Sequence, residues 1–369
     1  MLSIYIHIPF CNNICSYCDF NKVFYNKKLI SNYLEQLRLE IQKNYKNEKV
    51  KTIYIGGGTP SSLSYTELNE LLNITNIFNK SDDCEITIEC NPENMDSQKI
   101  SLLKKNGVNR VSIGVQSFNW NVLKLLNRNH TKEQVFSLIQ NLKNIGINNI
   151  NIDLMFGVRE QSLDDIRNDL AEFLKLDIPH LSYYSLILEE HTKLYIDNYQ
   201  EIDDDIIASQ YDFICEYLKN NGYNHYEISN FSKPGYSSMH NLTYWNNEYY
   251  YGFGCGAHGY IDDIRYENTR SITKYIDGKY RLFENKISLK ENMENEIMLG
   301  FRKLDGINKG LFYNKFNKQI DEVFKFNVLI EKGLIKEVDN KLFIPEKHLF
   351  ISNAILTQLL MDGDLNDRK

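Results

Sequence analysis

Three cysteines fall within eight residues, Cys11, Cys15 and Cys18, in the spacing C-x3-C-x2-C. Thiolates are soft ligands that suit zinc and iron–sulfur clusters. A structural zinc normally takes four protein ligands, and no Cys or His follows within ten residues of Cys18. A [4Fe–4S] cubane held by three thiolates leaves one iron open to a small-molecule chelate. The competing readings are three unrelated core cysteines or a zinc completed by a distant His, and the tight spacing disfavours both. The other cysteines, Cys84, Cys90, Cys215 and Cys255, are scattered. An odd total of seven argues against a disulfide framework, and each of the four reads by default as a small buried residue.

Other residues with chemical potential stand farther along. Gly56-Gly57-Gly58-Thr59-Pro60 follows a β-rich run. Glycines there let backbone N–H groups approach a ligand closely, although a tight turn explains them equally well. Glu89, Gln116, Arg128 and Asp153 sit at or just past the ends of further runs. A carboxylate can accept from ribose hydroxyls, and Arg can pair with a carboxylate in a fork; ordinary solvated residues are the plain alternative. His240-Asn241-Leu242-Thr243-Tyr244-Trp245 places a good axial iron ligand beside flat apolar rings; a loop anchored by a buried His would look the same. Gly252 to Gly259 holds four glycines in eight residues, which allows close approach to a flat ligand, with Cys255 and His258 as weaker candidate ligands.

These residues need elements to hold them. Apolar runs at Ser3–Ile8, Thr52–Ile55, Glu85–Cys90, Arg110–Val115, Asn149–Met155 and Leu181–Ile187 alternate with helical patterns. Capping-box pairs mark several helix starts: Ser64 with Glu67, Thr131 with Gln134, and Ser162 with Asp165. Six strand-then-helix units imply a parallel sheet, either a whole or partial barrel or a doubly wound sheet. In a barrel the working face is the C-terminal edge of the strands, which is where the candidates fall. After about residue 188 the alternation stops, and Tyr223–Tyr260 reads as loops and short strands. From about Ser288 helical stretches appear near Lys290–Lys303, Lys309–Phe316 and Ile320–Lys332. A hairpin over Gly333–Pro345, turning at Asp339-Asn340, and a last helix near Asn353–Met361 complete a winged-helix-like unit. The expected division is 1–187, 188–287 and 288–369.

Composition bounds the rest. The chain has 369 residues, about 42% apolar and 25% charged, with a formal net charge of −7. That suffices for one domain of about 250 residues and a smaller one. The acidic balance without a Lys/Arg-dense face argues against a nucleic-acid partner. No apolar run approaches the roughly 20 residues that cross a bilayer, and the first ten residues read as a strand rather than a signal peptide. The expected location is cytoplasmic, with membrane contact only through a partner.

The cysteine spacing, with aromatic Tyr17 just before the last Cys, resembles the radical-SAM superfamily signature. That resemblance implies that the open iron is chelated by the amino and carboxylate groups of S-adenosylmethionine. An electron from the cluster then cleaves the sulfonium to give a 5′-deoxyadenosyl radical; the cofactor carries the chemistry while the protein binds and aims. Over nearly its full length the chain also resembles the oxygen-independent coproporphyrinogen III oxidase group. The matching segments are Tyr5–Cys11, Gly56–Pro60, Glu89–Pro92, Gly114–Phe118, Leu126–Arg128 and Asn151–Met155. The fold implied is a partial (β/α)6 radical-SAM barrel in the α/β class with the smaller C-terminal unit. By the same resemblance, Tyr5 packs near the cluster, and Tyr17, Gly57, Gly58, Thr59, Glu89, Gln116, Arg128 and Asp153 serve S-adenosylmethionine.

Two departures separate the chain from the oxidases. Phe20 stands where their motif has another Cys, and Tyr5 lies almost at the start, where they carry an N-terminal arm. His240–Trp245 instead matches the HNxxYW motif and so resembles the HemW-type heme chaperones. That family implies heme contact by His240, Tyr244 and Trp245, heme transfer to respiratory hemoproteins and a reduced electron donor, with no catalytic residue assigned. The enzymatic alternatives are oxidative decarboxylation of coproporphyrinogen III to protoporphyrinogen IX, or radical chemistry on another tetrapyrrole.

Overall fold

The computed structural model describes residues 1–364, with side chains described to residue 361, so the end of the expected 288–369 unit lies outside the described residues. The six expected parallel strands form: β1 (Leu2–Ile8), β2 (Val50–Gly57), β3 (Lys80–Cys90), β4 (Arg110–Gln116), β5 (Asn149–Phe156) and β6 (His180–Ser185). They are neighbours in chain order, all parallel. Side chains alternate across each strand. Ile4, Ile6, Ile53, Ile55, Ile86, Ile88, Val111, Ile113, Ile150 and Ile152 are buried in the main core. The opposite set, including Tyr5, Tyr54, Glu89, Ser112, Asp153 and Ser182, borders cavities on the concave face. The capping boxes at Ser64, Thr131 and Ser162 are all present.

Beyond β1 the sheet continues through Tyr250–Phe253, parallel to β1. It then runs antiparallel through His258–Ile261, Ile264–Asn268 and Arg281–Lys286. Beyond β6 it adds Asn230–Ser232 and Asn224–Glu227. Among the described residues this makes one 12-stranded sheet whose ends do not pair, an open barrel rather than a closed one.

Two elements differ from the sequence reading. A helix spans Asp204–Asn220, capped by the Asp203 carboxylate and burying Ile207, Tyr211, Ile214, Cys215 and Leu218. That spacing is helical, in a stretch to which the sequence reading assigned no element. The second is Met239–Trp245, a short helix capped by the Ser238 hydroxyl, where loop was expected. It lies within the concave side near the strand starts. Thr243 Oγ1 is 2.8 Å from Ser3 Oγ, His240 Nδ1 is 2.8 Å from Thr52 Oγ1, and the backbone N–H groups of Met239 and His240 donate to Glu85. The helix thus plugs the barrel at the N-terminal side of β1, β2 and β3.

The C-terminal unit has its own core, built on Ile297, Phe301, Phe312, Leu342, Ile344 and Leu356. The hairpin pairs Lys336–Val338 with Lys341–Phe343. Asp339 and Asn340 both take positive φ, as a two-residue turn of this kind demands. The helix expected over 320–332 is split into Ile320–Val323 and Asn327–Glu331, because Phe324 adopts extended backbone and buries its ring. Among the described residues no helix is long and apolar enough to cross a membrane.

Candidate cofactor site and adjoining cavities

The cysteine loop is closed at its base. Phe10–Cys11 pairs with Val23–Phe24, and Tyr25 N–H donates to Cys11 O at 2.9 Å. Inside the loop, Ser16 N–H donates to Leu126 O, and Asn127 Nδ2 donates to Ile14 O at 2.7 Å. Asn127 takes φ 57, a conformation Asn tolerates. Contacts with the Leu126–Arg128 segment thus hold the Ile14–Ser16 part of the loop.

Cys11, Cys15 and Cys18 border one cavity of about 120 Å³, together with Tyr17, Gly57, Gly58, Thr59, Glu89, Gln116, Arg128 and Asp153. Every residue expected to serve the cluster or S-adenosylmethionine is gathered there except Tyr5. Tyr5 instead borders a separate aromatic cavity, with its hydroxyl 2.9 Å from His7 Nδ1. It touches the cysteine side only indirectly, by stacking on Tyr54, whose hydroxyl donates to Glu89 at 2.8 Å.

The donor set suits an anionic sulfur cluster. Thr59 Oγ1 and Arg128 Nη1 each lie 3.5 Å from a sulfur, Cys11 and Cys15 respectively. Arg128 is only 5% exposed, and its other partners are neutral: Asn91 Oδ1 at 2.9 Å and the carbonyl of Gly114. Its Nε has no partner. Burial works against its charge, and the neighbouring Cys15, Tyr17 and Glu93 groups favour it. A buried guanidinium without a carboxylate calls for anionic company, which thiolates or a chelated amino acid carboxylate would supply. Glu89 accepts from Gly57 N–H at 3.0 Å, and burial pushes its pKa up to about 7. Gln116 ends β4 at φ 67, backbone strain of the kind that collects at binding sites.

The triple glycine does more than admit a ligand. A Cβ on Gly56 would lie 2.7 Å from the Glu89 carboxyl carbon, and one on Gly57, at φ 111, 2.4 Å from the His7 ring. Gly252, Gly254, Gly256 and Gly259 act similarly. Their missing side chains make room for His258 O, His7 O, Asn21 and the Tyr266 ring. This second glycine run, expected to allow approach of a flat ligand, serves mainly the packing of the chain on itself, and Gly256 alone of the four borders the aromatic cavity. Cys255 is fully buried, with its sulfur bonded to Thr269 O and Asn21 Nδ2, and is not presented as a ligand.

Two larger cavities adjoin. One of about 420 Å³ lies in the barrel and shares Tyr17, Cys18, Glu89, Gln116 and Asp153 with the cysteine cavity. Arg110, which the sequence reading did not single out, also borders it. Its guanidinium is buried and its Nε has no partner. The other is the aromatic cavity of about 480 Å³, bordered by Tyr5, Tyr244, Trp245, Tyr250 and Tyr260, with His258, Arg265 and Arg270. Phe20 borders all three cavities.

His240 does not border any of the three. It is 1% exposed, and its second ring nitrogen, Nε2, lies 2.8 Å from the Tyr244 hydroxyl. With Nδ1 already held by Thr52, ligation of iron would break one of two buried bonds. His240, expected to contact heme, is thus turned away from all three cavities. Tyr244 and Trp245, on the same helix, do reach the aromatic cavity.

Comparison with known proteins agrees with this architecture. The model of the Radical SAM superfamily matches residues 5–173, and that of the HemN C-terminal domain matches 287–350. A solved structure of coproporphyrinogen III oxidase (HemN) from Escherichia coli superposes with a TM-score of 0.85, covering 96% of this chain and 89% of the other, at 21% identity. The fold and the cysteine site define a radical-SAM protein with a HemN-type C-terminal unit. Curated relatives narrow the family. The heme chaperone HemW of Lactococcus lactis is 39% identical over 99% of this chain and 98% of its own. That of Bacillus subtilis is 38% identical over 98% and 99%, and that of Escherichia coli 32% over 98% of each. The chain belongs to the HemW heme chaperone family.

Proposed function

We propose that the chain is a cytoplasmic heme chaperone that receives heme in the aromatic cavity and passes it to acceptor hemoproteins, those of respiration among them. Cys11, Cys15 and Cys18 hold a [4Fe–4S] cluster. Gly57, Gly58, Thr59, Glu89, Gln116, Arg128 and Asp153 hold S-adenosylmethionine on its open iron, and a reduced donor supplies the cluster's electron. When bound, that pair of cofactors can supply one-electron chemistry; what the chain's own residues do is position and couple. The observation that carries this reading is the wall between the cavities. Asp19, Phe20 and Asn21, the direct continuation of Cys18, border the aromatic cavity. A loop fixed by the cluster is thereby a loop that shapes the heme site.

The rest of that wall is tied in as well. His7 donates from Nε2 to Asn21 O at 2.8 Å and accepts at Nδ1 from Tyr5. Tyr54 stacks on His240, which holds Tyr244, and donates to Glu89. Tyr5, Tyr244, Trp245 and Tyr250 then offer flat apolar faces against a macrocycle. Membrane contact, on this reading, comes only through the acceptor.

Anaerobic protein loaded with cluster, S-adenosylmethionine and heme should give its heme up to an apo-hemoprotein. Supplied instead with coproporphyrinogen III and a reductant, it should form no protoporphyrinogen IX. Porphyrinogen turnover without heme transfer would replace the chaperone reading with the oxidase one.

A further inference from the structure

The aromatic cavity carries groups for the metal and the carboxylates of a dicarboxylate metal macrocycle, and these lie outside the HNLTYW helix. His258 opens the strand His258–Ile261, and its side chain is 57% exposed on the cavity wall. Nε2 lies 3.8 Å from Glu267 Oε1, and neither ring nitrogen has a hydrogen-bond partner among the described residues. A carboxylate on the far side of a ligating imidazole is the usual way such a ring is oriented and made basic. Glu267 is fixed in turn by Arg270, whose Nε donates to the same oxygen at 2.8 Å. The glycine run explains why His258 points outward. Gly252 leaves room for its carbonyl and Gly259 for the Tyr266 ring, so the backbone is pinned while the side chain is free.

Two guanidinium groups border the same cavity. Arg265 lies over the Tyr260 ring at 4.5 Å, donates to Asn247 Oδ1 and keeps an unpartnered Nε. Arg270 is two-thirds exposed. Neither is committed to an ion pair across its full fork. A volume of about 480 Å³ falls within the range of small-molecule sites. Of the two imidazoles on the cavity, His7 is bonded at both nitrogens and His258 is free; that imidazole, two guanidinium groups and a set of tyrosine and tryptophan faces match the chemistry of an iron porphyrin with propionates.

We infer that His258 is the axial iron ligand of this site, with Arg265 and Arg270 receiving the propionates, while His240 acts only by holding Tyr244. This rests on the heme-binding reading above. The test is hemin binding to the full, cluster-loaded chain, followed by electron paramagnetic resonance of the ferric heme. Wild type should show an imidazole-ligated signal. His258→Ala should lose it, and added imidazole should restore it. His240→Ala should bind more weakly yet keep it. Arg265→Gln and Arg270→Gln should each weaken hemin by about tenfold while barely changing hemin dimethyl ester. An unchanged signal in His258→Ala, or imidazole rescue in His240→Ala instead, overturns the assignment while leaving heme binding intact. A wild type that takes up no hemin removes the heme-binding reading itself.

Discussion

The barrel mouth and the aromatic cavity meet at Phe20 but are made of different materials. The barrel mouth is lined by ionisable and amide groups, Glu89, Gln116, Arg128 and Asp153, late in parallel strands or in the loops that follow them, with Arg110 at the start of β4 bordering the barrel cavity. Half of the residues lining the aromatic cavity carry rings, drawn from β1, the cysteine loop, the plug helix and the strands added beyond β1. The first suits a polar, charged cofactor that must be aimed. The second suits a flat apolar one that must be held and let go. On the proposed reading the cofactor sits on the strand ends and the cargo against the added strands, with the loop that carries Phe20 touching both.

The sharpest way to break that division is to remove the cluster. Cys15→Ala should take iron and sulfide from about four each per chain to near zero. On this account it should also weaken heme binding, because the Asp19–Asn21 wall loses its anchor. Iron and sulfide analysis beside a hemin titration checks both. Heme binding untouched by cluster loss would separate the two regions entirely.

A smaller effect is expected at the glycine turn. Gly57→Ala places a methyl against the His7 ring in a backbone conformation that disfavours any side chain, which should cost about 1–3 kcal/mol. Chemical denaturation measures it, and a neutral result would mean that the turn relaxes freely. Phe20→Ala should leave cluster content unchanged and weaken heme by several-fold, through lost ring contact alone. A larger loss of cluster than of heme would assign Phe20 to the barrel side.

The smallest effect is a pH dependence at the plug. Burial holds His240 neutral and lowers its pKa to about 3, whereas an unfolded His titrates near 6.5. The unfolded chain binds the extra proton between those values, so stability falls as the pH drops from about 6.5 toward 3 and is flat above. Between pH 7.5 and 5.5, wild type should lose about 1 kcal/mol more than His240→Asn. Equal losses would show that His240 does not titrate on unfolding.

Much of the barrel was legible because its signals are local. Strand–helix alternation, capping boxes such as Thr131 with Gln134, and three cysteines on one loop are all short-range patterns. Even the scattered Glu89, Gln116, Arg128 and Asp153 fall into place once strand ends are assumed to share a rim. The heme side was not legible in the same way. The role of His240 depends on Thr52, Tyr54 and Glu85, more than 150 residues earlier, and on a plug helix of only seven residues in a Tyr- and Asn-rich stretch. A motif of His, Tyr and Trp looks like a ligand set in sequence, but helical geometry turns the His inward. The glycine run misled for the opposite reason, since close packing of the chain on itself calls for the same residues as close approach of a ligand.

The central claim is that the aromatic cavity holds the heme. Tyr244 and Tyr250 meet there edge to face with ring centroids 4.7 Å apart, and neither borders the cysteine cavity. The most direct measurement is an anaerobic hemin titration of cluster-loaded wild type against a Tyr244→Ala, Tyr250→Ala double variant with equal iron and sulfide. The account predicts one heme per wild-type chain and at least about tenfold weaker binding in the variant. Equal affinity in the two proteins would contradict it.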